Sequence, residues 1–223
     1  PDGVYGSKVR ADPRFVTIVP LIRGHEPDAK EVPFNQPWWG PLDKRDDYVA
    51  RAWFTTMVRA LDYLATRLDL ADMGRVYATG GSQGGALALV TAALDKHVSL
   101  CVADCPSNCM HHYAFRPETY GTFGPTSGQV PEGQTLDDLL RTLSYYDPAH
   151  LATRITCPTV VHQNVGDLTV HSMGALGVYK NLTGLATDKK WFKPGVSGHF
   201  HAGSRGGTAI QDELVEKLLK GEL

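Results

Sequence analysis

Apolar residues along the chain fall into short runs of two kinds. "FVTIVPLI" (Phe15 to Ile22), "GRVYATG" (74–80), "VSLCVAD" (98–104), "CPTVVHQN" (157–164) and "KKWFKPG" (189–195) are rich in β-branched or aromatic residues and bounded by turn formers, so each predicts a strand. Other segments carry the helical period. From Asp46 to Arg67, the positions Val49, Trp53, Met57, Ala60, Leu61, Leu64 and Leu68 share one face, with Asp46 or Asp47 as the expected cap. "GGALALVTAAL" (84–94) predicts a helix from its alanine and leucine content. "TLDDLLRTLSYY" (135–146) predicts another with Thr135 as cap, and further helices are expected over 172–182 and 208–219.

Strands that alternate with helices predict an α/β fold, a mostly parallel sheet covered on both faces. Right-handed crossovers then bring the loops after the strands to one edge, where chemistry sits in such sheets. The informative loops are those after Ile22, Thr79, Asp104, Asn164 and Lys193. Residues 105–133 hold Pro106, Pro117, Pro125 and Pro131 among glycines and aromatics, and read as an irregular excursion beside that edge.

Composition narrows the classes. With 223 residues, 42% of them hydrophobic, the chain can bury the core of a single domain spanning 1–223. A net charge of −2 without long runs of one sign offers no nucleic-acid surface. The sequence lacks an apolar stretch of the ~18 residues that a membrane helix needs. Cys101, Cys105, Cys109 and Cys157 follow neither a metal-binding nor a disulfide spacing and read as free thiols. The sequence begins at Pro1, as a processed or truncated piece would, and shows no signal-peptide pattern.

One motif carries chemistry. Gly80-Gly81-Ser82-Gln83-Gly84 fits G-x-S-x-G between a predicted strand and a predicted helix. A bend that tight strains the serine backbone and demands small neighbours, which Gly80, Gly81, Gly84 and Gly85 supply. Ser82 then stands above the sheet edge at the positive end of the helix, and the Gln83 N–H faces a developing oxyanion. A serine nucleophile needs a base and the base an orienting acid, in chain order Ser, Asp or Glu, His. Asp167 in "NVGDLTV" and His199 in "VSGHFHA" follow the last two strands in that order, with His201 as the rival base. His97, His111, His112 and His162 read as structural or surface residues, without a metal-binding spacing among them. No metal or organic cofactor is required.

These residues resemble the α/β-hydrolase acetyl esterases of carbohydrate esterase family seven, the acetyl xylan esterase and cephalosporin C deacetylase family. The likeness runs over about residues 15–220 and rests on "IRGHE", "GGSQGG", "RTLSYYDPAHLATRITCPTVV", "GDLTV" and "SGHF". It implies Ser82 as nucleophile, Asp167 as acid, His199 as base and Gln83 as one oxyanion donor, with Arg23 and Gly24 structural near the site. Where the family has glutamine and glycine after that pair, this chain has His25 and Glu26, and Phe200 follows its histidine instead of glutamate. The resemblance also implies a β-rich front region and a second oxyanion donor. That donor is expected near Val4 or Tyr5, or on a segment or second chain outside the sequence. A homo-oligomer is implied as well.

The expected reaction is removal of short acyl groups, acetyl above all, from a carbohydrate or other small-molecule ester. Trp38 and Trp39 form one expected pocket wall, and His111 and Tyr113 in the excursion another. Two alternatives stand beside it: a serine peptidase resembling the prolyl oligopeptidase group, and a hydrolase-like binding domain without activity.

Overall fold

A computed structural model describes residues 12–22, 44–114, 132–199 and 209–223. Its sheet contains β1 (Val76–Gly81), β2 (Val98–Asp104), β3 (Thr159–Asn164) and β4 (Lys190–Gly195) in the order β1-β2-β3-β4. Every neighbouring pair is parallel. The main helices are α1 (Val49–Ala65), α2 (Gln83–Leu94), α3 (His111–Ala114), α4 (Leu136–Ser144), α5 (Pro148–Leu151), α6 (Ser172–Asn181) and α7 (Ala209–Lys220). This is the α/β-hydrolase arrangement in which one sheet edge gathers the loops that follow the strands.

The sequence periods explain the layers. Successive strand residues face opposite sides, so Val161 and Ala103 join the cluster under α2, α5 and α6, while Val160 and Val102 join Leu214, Val215 and Leu218 of α7. Helix α2 is buried from Gly85 to Ala93, because the sheet lies on one side and α1 and α5 on others. A helix apolar all round suits that position. A third cluster joins Trp53 and Met57 of α1 to Leu139 and Leu143 of α4. Helix α4 starts as expected: the Thr135 hydroxyl accepts from the Asp138 N–H at 3.2 Å, and the Asp138 carboxylate accepts from the Thr135 N–H at 3.0 Å.

Three expectations need correction. Phe15 to Ile22 is not a strand: among the described residues it has no ladder partner, and Val16, Val19 and Leu21 are exposed. β-Branched composition suits a strand only where a neighbour takes its backbone groups, and Pro20 offers no N–H. Among the described residues, the ends of the run make hydrophobic contacts, Phe15 against the Tyr77 ring and Ile22 in the α1–α4 cluster. Neither Asp46 nor Asp47 caps α1. Both lie in a short 3-10 turn, and the capping position falls to Tyr48, which has no side-chain cap. Leu68 leaves the apolar face, because α1 ends at Ala65, and it stands 72% exposed.

Leu89 is fully buried at the centre of the α2 face. Leu89→Ala should therefore cost about 2–5 kcal/mol in unfolding free energy, read from the midpoint of urea denaturation with an unchanged slope.

Candidate active site

The bend at Ser82 is the first part of the site. Ser82 has φ 55° and ψ −119°, a region that side chains other than glycine enter only under strain, at about 1–3 kcal/mol. Close packing on both sides holds it there. A Cβ on Gly80 would come within 2.5 Å of the Gly84 carbonyl, and one on Gly85 within 2.8 Å of the Asp104 carbonyl. Gly84 is different: a Cβ there would meet nothing within 4 Å, so this position needs no glycine for its own sake. The Ser82 N–H donates to the Asp104 carbonyl at 2.9 Å, and the Ser107 N–H donates to the Ser82 carbonyl at 3.1 Å. Ser82 thus holds the N-cap position of α2 without a side-chain cap, and Gln83 is the first helical residue, whose N–H has no intrahelical acceptor.

The loops after β3 and β4 bring two more groups to the same place. His199 Nε2 lies 3.0 Å from Ser82 Oγ, and His199 Nδ1 lies 2.6 Å from Asp167 Oδ2. The Asp167 side chain is wholly buried. Its Oδ1 accepts from the N–H groups of Thr169 and Val170, each at 2.9 Å, and Gln163 Nε2 donates to its Oδ2 at 3.3 Å. Each of these partners is a donor, as a buried carboxylate requires. Hydroxyl, imidazole and carboxylate so form one connected chain across residues far apart in sequence. His201 lies outside the described residues.

Other candidate residues spread out. His111 is buried in α3, and burial lowers its pKa and favours the neutral ring. It lines a small cavity with Gln83, Asn108, Tyr48, Trp53 and Phe54. Tyr113 packs against the His112 ring and is not part of that lining. The Gln83 side-chain Nε2 is buried and has no hydrogen-bond partner among the described residues. Tyr5, Arg23, Gly24, Trp38 and Trp39 lie outside the described residues, as does most of the excursion.

Sequence reasoning missed several supports. Asp147, almost wholly buried, accepts from the N–H groups of Met110, His111 and Ala149 and so fixes the start of the excursion. That excursion needs fixing, because Cys105, Asn108 and Met110 all have positive φ. Asp104 and His162 are cross-strand neighbours, and their side chains pair at 2.5 Å. Asp104, Cys105 and His162 each offer a metal-ligand atom within 4.8 Å of the others, and so do Cys105, Asp167 and His199. In both groups the carboxylate and imidazole are already bonded to each other. The signal that was available is polarity: "HQN" closes a strand that begins "TVV", and buried polar residues at a strand end need partners.

Comparison with known proteins places this geometry in context. Residues 37–191 match the acetyl xylan esterase (AXE1) family. The acetyl esterase Axe7A of Xylanibacter ruminicola is 37% identical over 131 residues, which are 56% of this chain and 28% of that protein. An acetyl xylan esterase from Paenibacillus sp. aligns over 82% of this chain and 56% of its own with a TM-score of 0.64 and 24% identity. Acetyl xylan esterase 1 from Thermoanaerobacterium sp. aligns over 81% of this chain and 56% of its own with a TM-score of 0.66 and 22% identity. A Pyrococcus horikoshii acylaminoacyl peptidase, at 15% identity, aligns over 77% of this chain and 28% of its own with a TM-score of 0.53, a likeness of fold alone. This chain therefore spans little more than half the length of the solved esterases and about a quarter of the curated relative.

Two outcomes test the local physics. Gly80→Ala should destabilise the fold, because its methyl would overlap backbone, whereas Gly84→Ala should keep or raise the melting temperature, since alanine favours a helix by up to about 1 kcal/mol. Burial raises the pKa of every cysteine, Cys105 to about 12 and Cys157 to about 11, and leaves them protonated well above neutrality. Iodoacetamide at pH 8 should therefore leave all four unmodified in folded protein and alkylate them in urea, as read by intact mass.

Proposed function

Because the chain belongs to the acetyl xylan esterase family, we propose that it is a serine esterase that removes short acyl groups, acetyl foremost, from carbohydrate or other small-molecule esters. The observation that carries the proposal is the unbroken sequence of contacts from Ser82 Oγ through His199 to Asp167. It supplies a nucleophile, a base and an orienting acid with no further residue needed for proton transfer.

In this reading Ser82 Oγ attacks the ester carbonyl carbon as its proton passes to His199 Nε2. The carbonyl oxygen becomes an oxyanion, held by the Gln83 N–H at the positive end of α2. A second N–H is expected near Val4 or Tyr5, or on a segment or second chain outside the sequence. Collapse of the tetrahedral adduct breaks the bond to the alcohol oxygen, which takes the proton from His199. A water then attacks the acyl-serine with His199 again as base, and acetate leaves as Ser82 recovers its proton. Asp167 keeps Nδ1 as the donor side of the imidazole and balances its positive charge while it carries two protons.

The small cavity beside Gln83 has aromatic walls and the buried Gln83 Nε2, which has no partner among the described residues; Ser82, Asp167 and His199 do not line it. Trp38, Trp39, His111 and Tyr113 remain the residues proposed to contact the alcohol part. The shared fold of the acylaminoacyl peptidases leaves peptide hydrolysis as the competing outcome.

The test is hydrolysis of 4-nitrophenyl acetate and acetylated xylan beside a prolyl peptide substrate. Acetyl esters should turn over and the peptide should not. Ser82→Ala and His199→Ala should each lower kcat by about 10³-fold or more, and Asp167→Asn by a comparable factor. A fluorophosphonate probe should add its mass at Ser82. Full activity in Ser82→Ala would overturn the proposal.

A further inference from the structure

We propose that Asn164 is a positioning residue that fastens the His199 loop to the Asp167 loop, so that imidazole and carboxylate meet already aligned. The inference rests on the triad reading given under the proposed function and assigns a role to a residue outside the triad.

Asn164 is the last residue of β3 and is 1% exposed. Its side-chain Nδ2 donates to the Gly198 carbonyl at 3.0 Å, and Gly198 directly precedes His199. The same nitrogen lies 3.7 Å from the buried Cys105 sulfur, so the amide is seated from the β2 side as well. The opposing position in β4 is Gly195, paired with Asn164 in register. A Cβ on Gly195 would lie only 2.0 Å from Asn164 Oδ1 and 3.0 Å from His162 Nε2. A side chain at 195 and the present amide therefore exclude each other. The two residues work as one fitting, glycine making the room that asparagine fills.

Two backbone contacts bring the loops together around this fitting. The Val165 N–H donates to the Gly195 carbonyl at 2.9 Å, which extends the ladder past the strand ends. Gly166 runs so near that a Cβ would sit 3.2 Å from the carbonyl oxygens of both Val196 and Ser197. Only Val196, Ser197 and Gly198 separate β4 from His199, and Val196 is 91% exposed. That valine gives the loop no anchorage in the core. The Asn164 amide, at the far end of the loop, does. Displacement of a catalytic group by about 1 Å can cost ~100-fold in rate, so a buried amide bond one residue from the imidazole acts on turnover and not on substrate binding.

The experiment compares Asn164→Ala and Asn164→Leu with wild type on 4-nitrophenyl acetate. Leucine keeps the branched outline of the side chain without its polar atoms, alanine removes it, and thermal unfolding confirms that each variant is folded. Expected is a fall in kcat of about 10–100-fold with KM within about twofold. A weakened downfield proton resonance from the His199 Nδ1–H bonded to Asp167 should accompany it. Gly195→Ala should reproduce the kcat loss, and Gly195→Ala combined with Asn164→Ala should lose less than the product of the two single effects. Folded Asn164 variants with wild-type kcat and an unchanged resonance would overturn the proposal, as would multiplicative losses in the double variant. His199→Ala, run alongside, separates the two ideas. If it retains hydrolysis, the triad reading falls. If it is inactive while the Asn164 variants match wild type, only the positioning role falls.

Discussion

The backbone bend at Ser82 is the constraint from which the rest of the site follows. A residue with φ 55° persists only if its surroundings forbid relaxation, and here the prohibition is steric. Strand β1 and helix α2 approach so closely that Gly80 touches Gly84 and Gly85 touches the Asp104 carbonyl. The same approach lets the Ser82 N–H reach Asp104 on the next strand. Strain in one residue is offset by contacts spread over two strands and a helix, and the large buried cluster beneath α2 supplies the stability that tolerates it.

The sheet converts that local bend into a site by register. Parallel strands end at one edge, so Gly81, Asp104 and His162 lie at matched positions on three neighbours, with Asn164 two residues beyond His162. Each carries something the edge uses: the start of the bend, an acceptor for it, a partner for Asp104, and the amide on the His199 loop. Asp167 can be buried because four donors reach it: the Thr169 and Val170 N–H groups of its own loop, Gln163 of β3 and His199 of the loop after β4. A lone buried carboxylate would be very costly, whereas one with this many donors is a fixed electrostatic reference for the imidazole.

Much of this was legible in the sequence, and the limits have physical causes. Strands β1 to β4 and helices α2, α4, α6 and α7 lie where β-branched runs, helical spacing or alanine and leucine content predict them. The meeting of Ser82, Asp167 and His199 was legible because chain order and strand position restrict where such residues can sit. The run from Phe15 to Ile22 misled because composition reports what a strand would tolerate, not whether a neighbour accepts its hydrogen bonds. Asp46 and Asp47 misled because two adjacent carboxylates look like caps whichever turn they occupy. Asn164 and Gly195 were invisible for a different reason. Their relation is one of shape across two strands, and no local pattern records it.

The way Ser82 is tied also bears on how much of the fold the site needs. Among the described residues β1 stands at the sheet edge, paired on one side by β2. An edge strand is the least supported place for a strained residue. Yet the bonds that hold the Ser82 backbone run inward: its N–H to Asp104, its carbonyl to the Ser107 and Ala86 N–H groups. Asp167 and His199 follow β3 and β4, on the other side of β2 from β1. Alignment of the three groups thus draws on contacts within the β1–β4 sheet and the loops that follow its strands.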